Sequence, residues 1–207
     1  MAEQFSSIER IHLDFILRQR VFFVASAAEG TRVNVSPKPV AALRVLGANS
    51  AVYLDQTGSG NETSAHLRVD GRLTFMFCAF EGPPRILRLY GRGSVLRRDE
   101  VPYRELLEAE FAGEELAGAR QILSLDVELV QTSCGYGVPL FTFVGERDTL
   151  KRWADAKGEA GLDAYRRKKN VRSIDGLLTG LFDVDDGALQ HDPTKTRSER
   201  VPRDTRR

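Results

Sequence analysis

Arg85-Ile86-Leu87-Arg88-Leu89-Tyr90-Gly91-Arg92-Gly93-Ser94-Val95-Leu96-Arg97-Arg98 is a strand-length run broken at two glycines. Glycine inside a strand marks a bulge or a barrel corner, so this run predicts a sheet that curls instead of lying flat. Downstream, Gln121 to Val130 sets Leu123, Leu125, Val127 and Leu129 against Ser124, Asp126 and Glu128. That period of two describes a strand with one dry and one wet face. Upstream, Arg72 to Phe80 alternates in the same way after the turn pair Asp70-Gly71, and Gly82-Pro83-Pro84 separates it from the glycine-bearing strand.

Three more strand-length segments precede these. Arg20 to Ala27 and Thr31 to Ser36 flank a turn at Glu29-Gly30 and predict a hairpin, the first strand being apolar enough for cover on both faces. Ala51 to Asp55 is the third. Helical patterns are fewer. Ser6 to Arg18 has Ser6 and Glu9 at capping-box spacing and a stripe of Ile8, Ile11, Phe15 and Ile16. A short helix runs through Leu67, and another from Asp99 to Phe111 has Asp99 as its cap and Leu106, Leu107 and Phe111 inward. Glu146 to Lys157 and Leu162 to Lys168 close the structured part. Six strand-like runs joined mostly by hairpins predict a mainly β fold, an antiparallel barrel with peripheral helices. It is expected as one domain over 1–182, with a helical extension from about 146.

Of the 207 residues 42% are hydrophobic and 29% charged, a globular composition. No apolar run is long enough to span a bilayer and no secretory leader is visible, so a cytoplasmic protein without membrane association is expected. The net charge of +1 speaks against nucleic acid as a partner. Residues 183–207 read as a disordered basic tail, with six basic residues against three acidic ones after Gln190. Cys78 and Cys134 are too few for a disulfide framework, and His12 and His66 stand alone, as helix-surface residues without metal-ligand spacing. The dinucleotide fingerprint, the phosphate-binding P-loop and the nucleophile elbow are all missing.

What stands out is Asp55-Gln56-Thr57-Gly58-Ser59-Gly60-Asn61-Glu62-Thr63, polar and glycine-rich, closing a strand and opening a helix. Backbone N–H groups converge on anions at such places. With Val33-Asn34-Val35-Ser36-Pro37-Lys38 beside it, the stretch predicts a bound phosphate.

These two stretches, with Phe23-Val24-Ala25-Ser26, Val52-Tyr53-Leu54-Asp55, Gly71-Arg72-Leu73 and Arg88-Leu89-Tyr90-Gly91, resemble in order the pyridoxamine 5′-phosphate oxidase-like family. The likeness runs roughly from Ile8 to Val130. Thr132 to Pro139 and Asn170-Val171-Arg172-Ser173-Ile174-Asp175-Gly176-Leu177 resemble a less characterised branch of it. The resemblance implies a six-stranded antiparallel split β-barrel that forms a homodimer with two FMN sites at its interface. It assigns Ser36 and Lys38 to the strand along the flavin, and it sets Asn61, Glu62 and Thr63 where the family carries basic residues on the phosphate. Because Glu62 cannot clamp an anion, the charge falls to Lys38, Arg68 or another arginine, Arg85 or Arg88 reaching across the dimer, with donors from Thr57, Ser59 and Thr63. The implied activity is an FMN-dependent oxidoreductase acting on a small substrate with NAD(P)H or a deazaflavin as donor. Alternatives are a non-catalytic flavin-binding module and a barrel holding F420 or haem. The C-terminal arginine and histidine block of the vitamin B6 enzymes is not found, so oxidation of vitamin B6 itself is not expected.

Overall fold

The structure, a computed structural model, describes residues 2–182; the expected disordered tail lies outside the described residues. Eight strands and four helices follow one another as β1 (Glu3–Phe5), α1 (Arg10–Leu17), β2 (Val21–Ser26), β3 (Asn34–Pro39), β4 (Leu43–Gly47), β5 (Ser50–Gln56), α2 (Glu62–Val69), β6 (Arg72–Cys78), β7 (Ile86–Arg97), α3 (Val101–Phe111), β8 (Ala119–Ser133) and α4 (Thr149–Lys169). All pairings are antiparallel, in the order β3-β2-β6-β7-β8-β5-β4, with β1 added to β8 beyond the end of β5. The mainly β, antiparallel split-barrel architecture is the expected one, but with eight strands in place of six. The two extra strands, β1 and β4, are short and lack an alternating apolar pattern. The predicted hairpin is β2 and β3. Its outer strand carries Pro37 and Pro39, residues tolerated at a sheet edge because no ladder hydrogen bond is lost there. No helix among the described residues is long and apolar enough to cross a membrane.

The strands wrap one main core. Phe22, Phe75, Phe77, Tyr53, Leu87, Leu89, Leu123 and Leu125 are fully enclosed in it, under Phe15 and Ile16 of α1. Phe22 packs against Tyr53, Phe75 and Phe77 with ring centroids 5.4 to 5.7 Å apart. Each such ring stabilises the fold by about 2–3 kcal/mol relative to exposure. A second cluster, Val52, Leu54 and Ile122 with Tyr103 and Phe111 of α3, covers the opposite face of β5 and β8. That double cover explains why Ala51 to Leu54 is apolar without alternation, whereas β2, assigned two covered faces from its composition, buries only Phe22, Val24 and Ser26 fully.

The glycine-bearing strand behaves as its sequence predicts. Tyr90 pairs with Leu129 but Gly91 with Val127, so Glu128 is bulged out. The bulge inverts the alternation of β8: Val127 is inward before it and Val130 after it, while Leu129, expected inward, turns to the half-buried face. Gly91 is required there because a Cβ would stand 1.9 Å from the Asp126 carbonyl oxygen.

Three helix starts differ from expectation, α4 beginning at Thr149 and not at Glu146. α1 begins at Arg10 with Glu9 and His12 forming the capping box; the Glu9 N–H donates to His12 Nδ1 at 3.0 Å. His12 is therefore buried, edge-on to Phe5 at 4.5 Å, and is no surface residue. His66 is buried as well, its Nδ1 3.0 Å from Ser26 Oγ. α3 starts after Glu100, since Asp99 is drawn into an ion pair with Arg97. The two predicted C-terminal helical patterns are the halves of α4, kinked at Gly158, which takes φ +62°. Cys78 is a buried free thiol and Cys134 an exposed one.

Replacing Gly91 by alanine is expected to cost about 3 kcal/mol through the clash with Asp126, lowering the Tm by roughly 10 °C. Gly47→Ala, with open space around the added Cβ, serves as control in the same calorimetric scan and should leave the Tm within about 2 °C of wild type.

Candidate functional site

The period of two along β3 turns Asn34, Ser36 and Lys38 to one side and leaves Val35, Pro37 and Pro39 exposed. On that side the end of β5, the loop Gly58 to Gly60 and the first turn of α2 enclose a pocket of about 440 Å³. Asp55 lies at its base, 1% exposed. A buried carboxylate is costly unless matched, and here three donors converge on it. Lys38 Nζ donates to Oδ1 at 2.8 Å, while Arg120 Nε at 2.7 Å and Gln121 Nε2 at 3.0 Å donate to Oδ2. Burial alone would push the Asp55 pKa up, but the Arg120 and Lys38 charges outweigh it and hold the group at about 2.

Arg120 does more than neutralise Asp55. Its Nη1 donates to Gly60 O and to Asn170 Oδ1, both at 2.9 Å, tying the glycine loop to the residue that ends α4. Arg166, also buried, anchors α4 itself, donating to Thr57 Oγ1 at 2.8 Å and Ala119 O at 2.9 Å. The chain that follows α4 is then laid against the pocket. Asn170 Nδ2 donates to Gly58 O, Ser64 Oγ donates to Thr179 O, Asp175 accepts from Arg32, and the Glu62 carboxylate accepts the Ile174 N–H at 3.1 Å. Lys169, Arg172, Ser173 and Ile174 thus become one wall.

The structure brings together Ser36, Lys38, Ser59, Asn61 and Thr63 of the residues expected from the sequence. Thr57 sits behind the pocket, committed to Gly118 O and Arg166. Arg68 is exposed against Gly180 and Arg88 donates to Ser133 Oγ at 3.1 Å; neither lines the pocket. Glu62, the apparent mismatch, is occupied with holding the C-terminal wall. Sequence reasoning missed Arg120, Lys169 and Arg172. Arg120 stands one residue before the expected start of its strand, and Arg172 falls within the C-terminal stretch already noted for its resemblance.

Four cations, Lys38, Arg120, Lys169 and Arg172, line the pocket against two carboxylates, Asp55 and Glu62. Two buried polar atoms of the lining, Tyr53 Oη and Asn61 Nδ2, make no hydrogen bond of normal geometry. Burial, and then the nearby Asp55 charge, raise the Tyr53 pKa well above its ordinary value, so the hydroxyl keeps its proton. An excess of positive charge, the unpartnered Asn61 Nδ2 and the N-terminus of α2 suit a small anionic ligand.

Because the Asp55 pKa falls from 3.8 to about 2 on folding, the carboxylate contributes stability above pH 3.8 that is lost as pH drops towards 2. The shift corresponds to about 2 kcal/mol. Asp55→Asn, which strands Arg120 and Lys38, should cost about 3–5 kcal/mol at pH 7. In urea denaturation the gap between wild type and variant should narrow by about 2 kcal/mol between pH 6 and pH 2.

The sequence profile described as pyridoxamine 5′-phosphate oxidase matches residues 8–134. A protein of Aspergillus flavus described as pyridoxamine 5′-phosphate oxidase family protein ustO is 40% identical over 180 residues, 79% of this chain and 72% of that protein. A variant of HupZ from Group A Streptococcus superposes with a TM-score of 0.50 at 17% identity, over 61% of this chain and 99% of that one. HutZ, the haem storage protein from Vibrio cholerae, follows at 0.44 and 16%, over 62% and 97%. At 17% identity the HupZ structure speaks to the fold alone. On the profile and the Aspergillus relative, the chain belongs to the pyridoxamine 5′-phosphate oxidase family.

Proposed function

We propose that the polar pocket binds the phosphate end of FMN and that the protein works as an FMN-dependent oxidoreductase on a small substrate, as a homodimer. The observation that carries this reading is the meeting of Lys38, Thr63 and the unpartnered Asn61 Nδ2 at the N-terminus of α2, inside a pocket with surplus positive charge. A phosphate supplies an acceptor to Asn61 Nδ2 and negative charge to the cations. Lys169 and Arg172, on the wall built by the chain after α4, take the place of the missing cation at Glu62. Ser36 and Asn34 extend the polar surface along β3, the edge strand, for the rest of the cofactor.

When bound, flavin supplies the electron chemistry; the chain binds it, orients it and excludes water. Residue by residue, Lys38 and Arg172 hold charge, Thr63 and Asn61 donate hydrogen bonds, and Tyr53, kept neutral, donates without titrating. The dimer reading rests on the same edge. Val33 and Val35, on either side of Asn34, are 69% and 57% exposed, and apolar residues on an edge strand are places where a second chain packs.

The purified protein is expected to be yellow, or to bind added FMN with quenching of the flavin fluorescence, and to sediment as a dimer. Lys38→Ala with Thr63→Ala should weaken FMN binding by about two orders of magnitude, and Arg172→Ala alone by about tenfold. A colourless protein that ignores added FMN sinks the reading. A haem Soret band would assign the barrel to the other cofactor, and bound FMN that NAD(P)H does not reduce under nitrogen would leave a binding module in place of an enzyme.

A further inference from the structure

A second, larger cavity shares no lining residue with the polar pocket. It measures about 890 Å³ and lies between α1, the loop joining β6 to β7, and the irregular segment Phe141 to Val144. Its lining is mostly apolar, with Phe15, Phe80, Pro84, Phe141 and Phe143 among it. The segment is held by the Phe141 N–H donating to Phe80 O at 2.9 Å and the Phe143 N–H donating to Glu81 Oε1 at 3.2 Å. Arg18, Arg20 and Arg85 also line the cavity, and among the described residues none of the three is in an ion pair. Arg20 lies over Phe143 at 4.8 Å and Arg85 over Phe15 at 5.8 Å, so the guanidinium planes are positioned by aromatic rings with N–H groups left over. Glu81, the one carboxylate in the lining, is occupied with the Phe143 amide.

We propose that this cavity binds an amphipathic anion, an apolar chain or ring ending in a carboxylate, with the apolar body among Phe15, Phe80 and Phe143 and the carboxylate met by Arg18, Arg20 and Arg85. The volume is that of a small-molecule site, where a mostly apolar lining provides affinity and a few charged groups fix orientation. Three arginines without carboxylate partners select an anion over a neutral body of the same shape, since a planar guanidinium takes a carboxylate with two hydrogen bonds.

Calorimetric titration of the full-length protein with decanoate, 1-naphthoate and decanol tests it. Decanoate or naphthoate, according to whether the body is a chain or a ring, should saturate at one per chain and bind at least about tenfold more tightly than decanol. Arg18 and Arg20 are exposed, so Arg18→Gln with Arg20→Gln should leave the Tm and FMN binding unchanged while removing that preference; Arg85→Gln should reduce it independently. Phe143→Ser should weaken the acid and the alcohol alike. Decanol binding as well as the acids, absence of saturable binding, or an arginine variant that binds the acids like wild type overturns the proposal. A dimer that Phe143→Ser converts to monomer would also overturn it, by giving the cavity to a second copy.

Discussion

The buried carboxylate of Asp55 is the interaction on which the polar half of this molecule depends. It lies near the end of β5 inside the protein, where an unpaired charge would cost several kcal/mol, and its two oxygens take up three donors from two parts of the chain. Lys38 comes from the edge strand β3, Arg120 and Gln121 from the start of β8. Because Arg120 also reaches Gly60 and Asn170, one charge fixes the relation of edge strand, glycine loop and C-terminal wall. The pocket is the space that these commitments leave.

The same arrangement explains why a glutamate occupies the first turn of α2. Its carboxylate accepts the Ile174 amide, and the segment so held presents Arg172 and Lys169 to the pocket. A cation written into the helix would serve the anion directly; here an anion on the helix recruits cations from more than 100 positions downstream. The apolar half obeys a different constraint. The approach of Gly91 to the backbone of Asp126 bends β7 and β8 together, and the resulting change of register turns Val130 into the core in place of Leu129. Curvature and register are thus a single feature, with the aromatic cluster of Phe22, Phe75 and Phe77 filling the hollow it makes.

Much of the architecture was legible from local patterns. The β2–β3 hairpin, the long strands β6, β7 and β8 and the bulge at the glycines all follow from alternation, turn residues and glycine placement, which act within a few residues; the two C-terminal helical patterns were legible too, but not their union in one kinked helix. The short strands β1 and β4 were not legible. Three to five residues carry no period to detect, and their strand geometry is imposed by the neighbours β8 and β5. The histidines misled as well. His12 closes a helix cap with Glu9, a local pairing masked by the Ser6 and Glu9 spacing, whereas His66 meets Ser26 across 40 residues, a contact no local pattern reveals.

For the site, the sequence by itself determined which side chains β3 and the glycine loop could offer: Ser36, Lys38, Ser59, Asn61 and Thr63 stand at spacings that any strand-loop-helix passage would turn the same way. Tertiary structure alone decided which of the many arginines would join them. Arg68 and Arg88 are nearer in sequence, yet Arg120 and Arg172 line the pocket because a buried carboxylate and the docking of α4 bring them there. Charge neutralisation of buried groups is settled by proximity in space, and proximity between β5, β8 and the chain after α4 exists only once the sheet has curled and the last helix has docked on it.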